Sequence, residues 1–121
     1  MLCPGVGVTG PMGTGIEEQG LWVKTAAGIA VITGCAHPGI VPIARLAAEL
    51  SASPIYLLLG GFHLLHTSEK GVREVILQLK EIGVRKVAPS HCTGQKAVAL
   101  FRESWCADFI EAGCVAVVSL P

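Results

Sequence analysis

Charged side chains are scarce in this chain: they form 15% of its 121 residues, whereas globular domains average about 25%. Nine basic and nine acidic residues give a formal net charge of zero, and Lys and Arg form no cluster. A nucleic-acid-binding protein needs a basic patch, so nucleic acid is not expected as a partner. Because 51% of the residues are hydrophobic, little polar surface remains, and we expect part of the surface to face another protein layer.

The cysteines lack any C-x-x-C pair, and their number, five, is odd. This pattern argues against a disulfide framework and against a zinc ribbon, and a reducing compartment suits it best. The first residues also lack a basic region leading into an apolar block, which a signal or transit peptide would have. We therefore expect the protein to be cytoplasmic.

One uncharged stretch, residues 25–44, has the length of a membrane-spanning helix, roughly 20 residues. Two prolines, a histidine, a cysteine and three glycines interrupt it. We interpret it as a strand, a loop and the start of a helix, and we expect no membrane association.

The length predicts a single domain over residues 1–121. Residues 1–20 contain six glycines and two prolines without periodicity and are predicted to be a loop, followed by an αβ core over residues 21–121. The string GVGVTG near the start matches the dinucleotide fingerprint G-x-G-x-x-G, which requires a preceding strand and a following helix. Neither is predicted around it, since Pro11 follows it, so we reject a dinucleotide site there.

Beyond residue 20, apolar runs typical of strands alternate with segments of helical periodicity. Ser68 is the predicted N-cap of the most regular helix, and Gly83 is its C-terminal glycine. Pro42 is compatible with the first turn of the preceding helix. The predicted strands are 21–24 and 28–33, which form a hairpin, and 55–59, 84–89 and 114–120; the predicted helices are 40–50, 69–82, 97–105 and 109–113. The third of these helices follows PSHCTG directly and runs through Ala97 toward Trp105. This alternation predicts an α/β fold or a layered α+β relative of it.

Three of the predicted strands end in small-residue loops that carry a histidine: His37, His63 and His91. If these strands are parallel, their carboxyl ends lie at one edge of the sheet, where open α/β sheets bind ligands. Neutral imidazole is the commonest metal ligand, so this pattern predicts a divalent metal site, with zinc as the expected metal and iron or manganese as alternatives. A single loop histidine is more often structural, and His63 could also point into solvent.

The loop PSHCTG also contains groups that could hold an anion. Ser90 and Thr93 offer hydroxyls that could cap the next helix, and Gly94 stands at its predicted start, where free backbone N–H groups attract negative charge. The simpler interpretation is that Thr93 caps the helix, Cys92 packs and His91 is incidental.

Two further pairs of residues leave alternatives open. Glu17 and Glu18 stand just before a strand and could face a metal or a substrate, but exposed charges beside a hairpin are the simpler explanation. Cys35 and Cys92 could be nucleophiles with a histidine nearby. Because no third, orienting carboxylate is identifiable, a metal site is favoured over a cysteine nucleophile.

Three motifs, EEQGLWVKTAAGIAVITGCAHPGI, YLLLGGFHLL and VAPSHCTG, resemble the C-terminal half of the metallo-β-lactamase superfamily. The branch that they resemble is the 7,8-dihydropterin-6-methyl-4-(β-D-ribofuranosyl)-aminobenzene-5′-phosphate synthase branch, which is linked to methanopterin biosynthesis. The resemblance covers nearly the whole chain, from Gly5 to Leu120. It implies one half of an αββα sandwich built from strand, histidine-loop and helix units.

The resemblance also implies that His37 and His91 are metal ligands, that His63 lies in or beside the site, and that the metal is usually zinc. The implied activity is that of a metal-dependent hydrolase or pterin-pathway enzyme, with a small-molecule substrate that is phosphorylated or pterin-like. The H-x-H-x-D-H cluster of the family is absent, and Asp108 is the only aspartate. A catalytic metal needs about three protein ligands and an open position, so we expect weak metal binding unless a complementing N-terminal half is present.

The alternative is a non-catalytic, truncated α/β module whose exposed apolar face pairs with another chain or with a second copy of itself. In that case the histidines have no catalytic role. The two interpretations can be distinguished with a chelator. Removing metal should change a metal-holding half of an enzyme, whereas it should leave a non-catalytic module unaffected.

Overall fold

The computed structural model describes residues 2–113 and 116–121, with only the backbone described at His91. These residues form a five-stranded sheet and three α-helices. The strands are β1 (Val6–Val8), β2 (Leu21–Thr25), β3 (Gly28–Ile32), β4 (Ile55–Gly61) and β5 (Lys86–Ser90), and the helices are α1 (Ile40–Ser51), α2 (Glu69–Ile82) and α3 (Gln95–Trp105). Among these residues no helix combines the length and the apolar content that crossing a lipid bilayer requires. The predicted mixed α/β class is confirmed.

The strands lie in the order β1-β2-β3-β4-β5. β1, β2 and β3 are antiparallel neighbours, whereas β3, β4 and β5 are parallel neighbours. The hairpin predicted for β2 and β3 and the parallel pairing of the histidine-bearing strands are both confirmed. The helices α1 and α2 supply the crossover connections that parallel pairing requires. The carboxyl ends of β3, β4 and β5 therefore share one edge of the sheet.

The ends of α1 and α2 follow from local sequence signals. α1 begins at Ile40 with Pro42 inside its first turn, as predicted. Ser68 caps α2 by accepting a hydrogen bond from the Gly71 amide at 3.1 Å. Gly83 ends α2 with a φ of 93°, a conformation that glycine adopts without steric strain. Both predicted ends of α2 are confirmed.

All three helices pack against one face of the sheet and share one hydrophobic core. The residues that point to this face align across the strands as Gly7, Trp22, Val31, Leu58 and Val87. In α3 the rings of Phe101 and Trp105 stack with their centroids 5.4 Å apart. The Trp105 indole donates a hydrogen bond to the Val84 carbonyl at 3.1 Å, so its polar group has a partner inside the core.

The opposite face of the sheet, called here the second sheet face, carries a smaller core centred on Ala30, Leu57 and Ala88. The strand register aligns further apolar residues of this face in two rows that cross the sheet. One row consists of Val8, Leu21, Ile32, Leu59 and Ala88. The other consists of Val6, Val23, Ala30 and Leu57. The C-terminal segment covers part of this face, since Ile110, Ala112 and Val118 pack against the smaller core. The side chains of the rows on β1 and β2 are only half-buried. The described residues therefore form one layer of helices on one face of the sheet, and the opposite face of the sheet is apolar.

The loop predicted over residues 1–20 contains a strand. Val6–Val8 forms β1 and pairs with β2 in antiparallel register. Its two valines continue the apolar rows of the second sheet face, while Gly7 faces Trp22. A Cβ atom on Gly7 would lie 2.1 Å from the Trp22 ring, so this glycine of the GVGVTG string leaves room for an indole. Gly7 therefore has a structural role, which is to let the Trp22 ring pack against the backbone of β1.

The prediction of a short helix over residues 109–113 is wrong. Phe109 forms an isolated bridge with Val87, and the Ile110 amide donates to the Val87 carbonyl at 2.8 Å. Because β5 is an edge strand with free backbone groups, this segment pairs with it instead of forming a helix. Of the strand predicted over residues 114–120, residues 114 and 115 lie outside the described residues, and residues 116–120 form no strand.

Candidate metal centre

The loops that follow β3, β4 and β5 meet at the shared carboxyl edge of the sheet. The rings of His37 and His63, from the first two loops, have centroids 4.5 Å apart and planes inclined by 51°. His91 begins a 3-10 turn directly after β5, so its backbone lies at the same edge, while its side chain is outside the part of the chain that the structure describes. The structure thus brings two of the predicted imidazoles together.

Backbone and hydroxyl contacts hold the first two loops against each other. The Thr33 hydroxyl donates to the Gly61 carbonyl at 2.9 Å, and the Gly61 amide donates to the Gly34 carbonyl at 2.8 Å. A Cβ atom on Gly60 would lie 2.3 Å from the Thr33 carbonyl oxygen, so a glycine is required at this close approach. His63 has a φ of 52°, a left-handed conformation that is uncommon outside glycine and that clusters at functional sites.

Thr93 connects the His63 loop to the His91 loop. Its fully buried hydroxyl accepts a hydrogen bond from the Phe62 amide at 3.0 Å and donates one to the Ser90 carbonyl at 2.7 Å. The prediction that Ser90 or Thr93 caps α3 is therefore wrong, because Gly94 occupies the N-cap position. The Thr93 hydroxyl is instead needed to satisfy a buried backbone amide.

Glu18 contacts the His37 loop from the segment that precedes β2. Its Oε2 accepts a hydrogen bond from the Ala36 amide at 2.9 Å, and its Oε1 accepts one from the His37 amide at 3.4 Å. The same Oε1 is hydrogen-bonded to Nδ1 of the His37 ring. The side chains of Glu18 and His37 are 17% and 28% exposed. Partial burial raises the pKa of Glu18, but the hydrogen bonds from His37 and Ala36 outweigh it and lower the pKa, so the carboxylate is ionised at neutral pH.

The interpretation of Glu18 as an exposed charge is wrong, although its neighbour Glu17 is exposed. The predicted hairpin contained the signal that could have identified it. Because Leu21 pairs with Ile32, the residues just before β2 lie opposite the loop just after β3. A carboxylate in that position therefore lies beside residues 35–37.

Cys35 belongs to the same cluster. Its Sγ, a carboxylate oxygen of Glu18 and a ring nitrogen of His37 all lie within 4.8 Å of one another, and the Cys92 thiol donates to the Cys35 carbonyl at 3.1 Å. Burial, the Cys92 thiol and the Glu18 carboxylate raise the pKa of Cys35, so this thiol is protonated at neutral pH. A protonated thiol is a poor nucleophile, whereas a bound metal displaces the proton. The cluster is therefore better suited to metal binding than to cysteine catalysis.

A cavity of about 630 Å³ opens beside the histidine edge, between the start of α2 and the start of α3. Its lining includes Leu64 and Leu65 from the His63 loop and Gly94 and Lys96 from the start of α3. Small-molecule sites in proteins have volumes of about 300–1,000 Å³. Of the residues predicted to hold an anion, Thr93 and Gly94 line this cavity and Ser90 does not.

Comparison with known sequences identifies relatives over most of the chain. No protein-family model matches it. The chain is 37% identical over 94 residues to the 7,8-dihydropterin-6-methyl-4-(β-D-ribofuranosyl)-aminobenzene-5′-phosphate synthase of Methanocaldococcus jannaschii, an alignment that covers 77% of this chain and 32% of the synthase. It is also 38% identical over 68 residues to an uncharacterised protein of the same organism, covering 56% of this chain and 25% of that protein.

The fold is similar to the crystal structure of a metal-dependent hydrolase of the β-lactamase superfamily. The TM-score is 0.74 and the sequence identity is 38%, over 79% of this chain and 38% of the hydrolase. The chain thus spans about a third of the length of the relatives that it matches. Sequence and backbone point to the same relationship, and this chain belongs to the metallo-β-lactamase superfamily.

Proposed function

We propose that this chain is the C-terminal, metal-binding part of a metal-dependent hydrolase whose complete site also requires the H-x-H-x-D-H cluster of an N-terminal half. The observation that carries this proposal is the contact between the His37 and His63 rings, 4.5 Å apart at the carboxyl edge of the sheet. The length of the relatives supports the need for a second half, because this chain corresponds to 32% of the synthase and 38% of the hydrolase.

In this proposal His37 and His91 are the metal ligands, and His63 lies in or beside the site. The groups around them fit a transition metal, since the Cys35 thiol and a ring nitrogen of His37 lie within 4.8 Å of each other and the Glu18 carboxylate is hydrogen-bonded to the His37 ring. Imidazole and thiolate ligands suit zinc, and iron or manganese are the alternatives. When bound, such a metal polarises a substrate oxygen and lowers the pKa of a bound water. In this proposal the chain itself contributes by holding the imidazoles in place at the carboxyl edge of the sheet.

The substrate in this proposal is a small molecule that is phosphorylated or pterin-like. The cavity between the starts of α2 and α3 supports this, because its volume is about 630 Å³ and its lining combines leucines with the charged groups of Lys96 and Glu69. It shares Leu64 with a smaller cavity of about 210 Å³ that His37 and His63 line.

Gly94, the N-cap of α3, lies where the free amides of the first turn of that helix could bind a phosphate. Ser90 lies at the end of β5, before the turn that leads to Gly94, and its hydroxyl is the second group that we assign to this anion. Because the Thr93 hydroxyl is occupied by two hydrogen bonds, we assign Thr93 to loop positioning within this anion site.

Bound metal is the direct test of this proposal. The purified chain is equilibrated with zinc, iron or manganese, alone and mixed with a separately expressed N-terminal half of a relative, and bound metal is measured by elemental analysis. We expect His37→Ala and His91→Ala to lose bound metal and His66→Ala, at an exposed histidine of the same chain, to retain it. If no metal binds under either condition, or if all three variants bind as wild type does, the proposal is wrong.

The second sheet face favours a second candidate function, that of a non-catalytic module that pairs with another chain or with a second copy. Its two rows carry half-buried apolar side chains on β1 and β2, and exposed apolar surface of this kind marks interaction sites. The oligomeric state is measured by light scattering for wild type, Leu21→Glu on this face and Leu77→Glu as control, since Leu77 is 57% exposed on α2. Pairing predicts an oligomer that Leu21→Glu alone dissociates. A monomer for all three proteins excludes self-pairing.

A further inference from the structure

The Glu18 carboxylate is surrounded by groups that donate hydrogen bonds. The Ala36 amide donates to Oε2 at 2.9 Å, the His37 amide donates to Oε1 at 3.4 Å, and the His37 ring contacts Oε1 through Nδ1. The two backbone amides fix the orientation of the carboxylate, because they come from consecutive residues of one loop. We propose that Glu18 is the positioning residue of the metal centre, which holds the His37 ring with its proton on Nδ1 and leaves Nε2 free to bind the metal.

The proton assignment follows from the chemistry of the partners. Both oxygens of the Glu18 carboxylate accept hydrogen bonds from backbone amides, so the ring nitrogen that contacts Oε1 is the donor of that hydrogen bond and carries the proton. In a neutral imidazole the other nitrogen, Nε2, then carries the lone pair that a metal needs. Free imidazole side chains in water favour the opposite tautomer, with the proton on Nε2. Glu18 therefore reverses the intrinsic preference of His37 and presents the ring in its metal-binding form.

Glu18 acts through His37 and not as a metal ligand itself. Both of its oxygens are already occupied, Oε2 by the Ala36 amide and Oε1 by the two groups of His37. A carboxylate that accepts the second N–H of a ligating histidine orients the ring and raises its basicity, and loss of such a partner weakens metal binding about 10–100-fold. This inference rests on the proposed metal role of His37, but the tautomer can be measured without any metal.

The experiment compares wild type with Glu18→Ala, Glu18→Gln and the control Glu17→Gln, whose side chain is exposed beside Glu18. Long-range ¹H–¹⁵N NMR, recorded at a pH above which the histidine signals no longer change, reports which ring nitrogen of His37 carries the proton. Zinc affinity is measured on the same samples by competition with a chromophoric chelator. Thermal unfolding midpoints show whether each variant is folded.

We expect wild type and Glu17→Gln to hold the proton of His37 on Nδ1, and Glu18→Ala to have it mainly on Nε2. Zinc affinity should fall about 10–100-fold in Glu18→Ala and remain unchanged in Glu17→Gln. Glu18→Gln is the second variant in case Glu18→Ala does not fold. Since its amide has only one accepting oxygen, it cannot serve all the donors, and the Nε2–H form should increase in it as well.

Two results would overturn the inference. One is a folded Glu18→Ala or Glu18→Gln variant in which His37 keeps its proton on Nδ1. The other is loss of zinc binding in Glu18→Gln with an unchanged tautomer, since that result would make Glu18 a ligand. If wild type binds no zinc either alone or mixed with the N-terminal half, the metal role of His37 is refuted, and the tautomer comparison by itself decides whether Glu18 positions the ring.

Discussion

Replacing Thr93 by valine should loosen the connection between the His63 loop and the His91 loop. The Thr93 side chain is fully buried, and its hydroxyl accepts from the Phe62 amide at 3.0 Å and donates to the Ser90 carbonyl at 2.7 Å. Valine fills nearly the same space but leaves a buried amide without a partner. An unsatisfied buried group of this kind destabilises a protein by about 1–3 kcal/mol, so we expect the free energy of unfolding to fall by about 2 kcal/mol.

Thermal unfolding and amide hydrogen exchange measure this effect globally and locally. At roughly 4 °C per kcal/mol for a domain of this size, Thr93→Val should lower Tm by roughly 8 °C. The Phe62 amide should exchange roughly 30-fold faster, because 1.4 kcal/mol corresponds to a factor of about ten. Thr93→Ser, which retains the hydroxyl, should recover most of the lost stability.

Thr25→Val is the matched control for this substitution. The Thr25 hydroxyl also makes a pair of hydrogen bonds, donating to the Gly28 carbonyl at 2.8 Å and accepting from the Ala27 amide at 3.1 Å. Ala27 is exposed in the β2–β3 turn, so water can replace the lost partner. If Thr93→Val is no less stable than Thr25→Val and the Phe62 amide stays protected, the reasoning about the loop connection is refuted.

Three further predictions concern the core, the β1 strand and the pH dependence. Phe101→Ala should lower the free energy of unfolding by about 3–5 kcal/mol in urea titrations, because the ring is fully buried; a loss below 1 kcal/mol would contradict the packing described for α3. Gly7→Ala should lower it by about 1–3 kcal/mol, because its Cβ would lie 2.1 Å from the Trp22 ring, whereas Gly15→Ala, with no atom within 4 Å of the added carbon, should be close to neutral. The pKa of Glu18 is lowered in the folded protein, so its contribution to stability is complete above its unfolded pKa of about 4.3 and is lost as the pH falls through the lower folded value. Wild type should therefore lose stability more steeply than Glu18→Gln below about pH 4.3 in urea titrations, and parallel curves would refute this assignment.

The parts of the fold that the sequence predicts well are those with local signals. The hairpin, the order of strands and helices from β2 to α3, Ser68 as N-cap and Gly83 as the glycine that ends α2 are all confirmed. Each depends on residues a few positions apart in the chain. The parallel pairing then follows from chain connectivity. A helix between two strands carries the chain back along the sheet, so that the second strand begins at the same end as the first.

The candidate site was predicted only in part. Small-residue loops after parallel strands indicated that His37 and His63 would meet, and their rings do lie together. Glu18 was named as a group that could face a metal, but an exposed charge was preferred, because its neighbours in the chain do not reveal that the hairpin places it beside His37, 19 positions away. Thr93 was predicted to cap a helix and instead bonds to an amide 31 positions away.

The sequence by itself determined the succession of strands, loops and helices from β2 to α3, and with it the edge of the sheet at which the rings of His37 and His63 lie. Only the tertiary structure decided which carboxylate faces His37, which hydroxyl joins two loops, and that the C-terminal segment lies along β5 and over the second sheet face. The physical reason is that hydrophobic periodicity reports how each segment is buried but not which partner buries it. Hydrogen bonds between distant segments depend on strand register and on loop paths, which are set once the whole chain is packed.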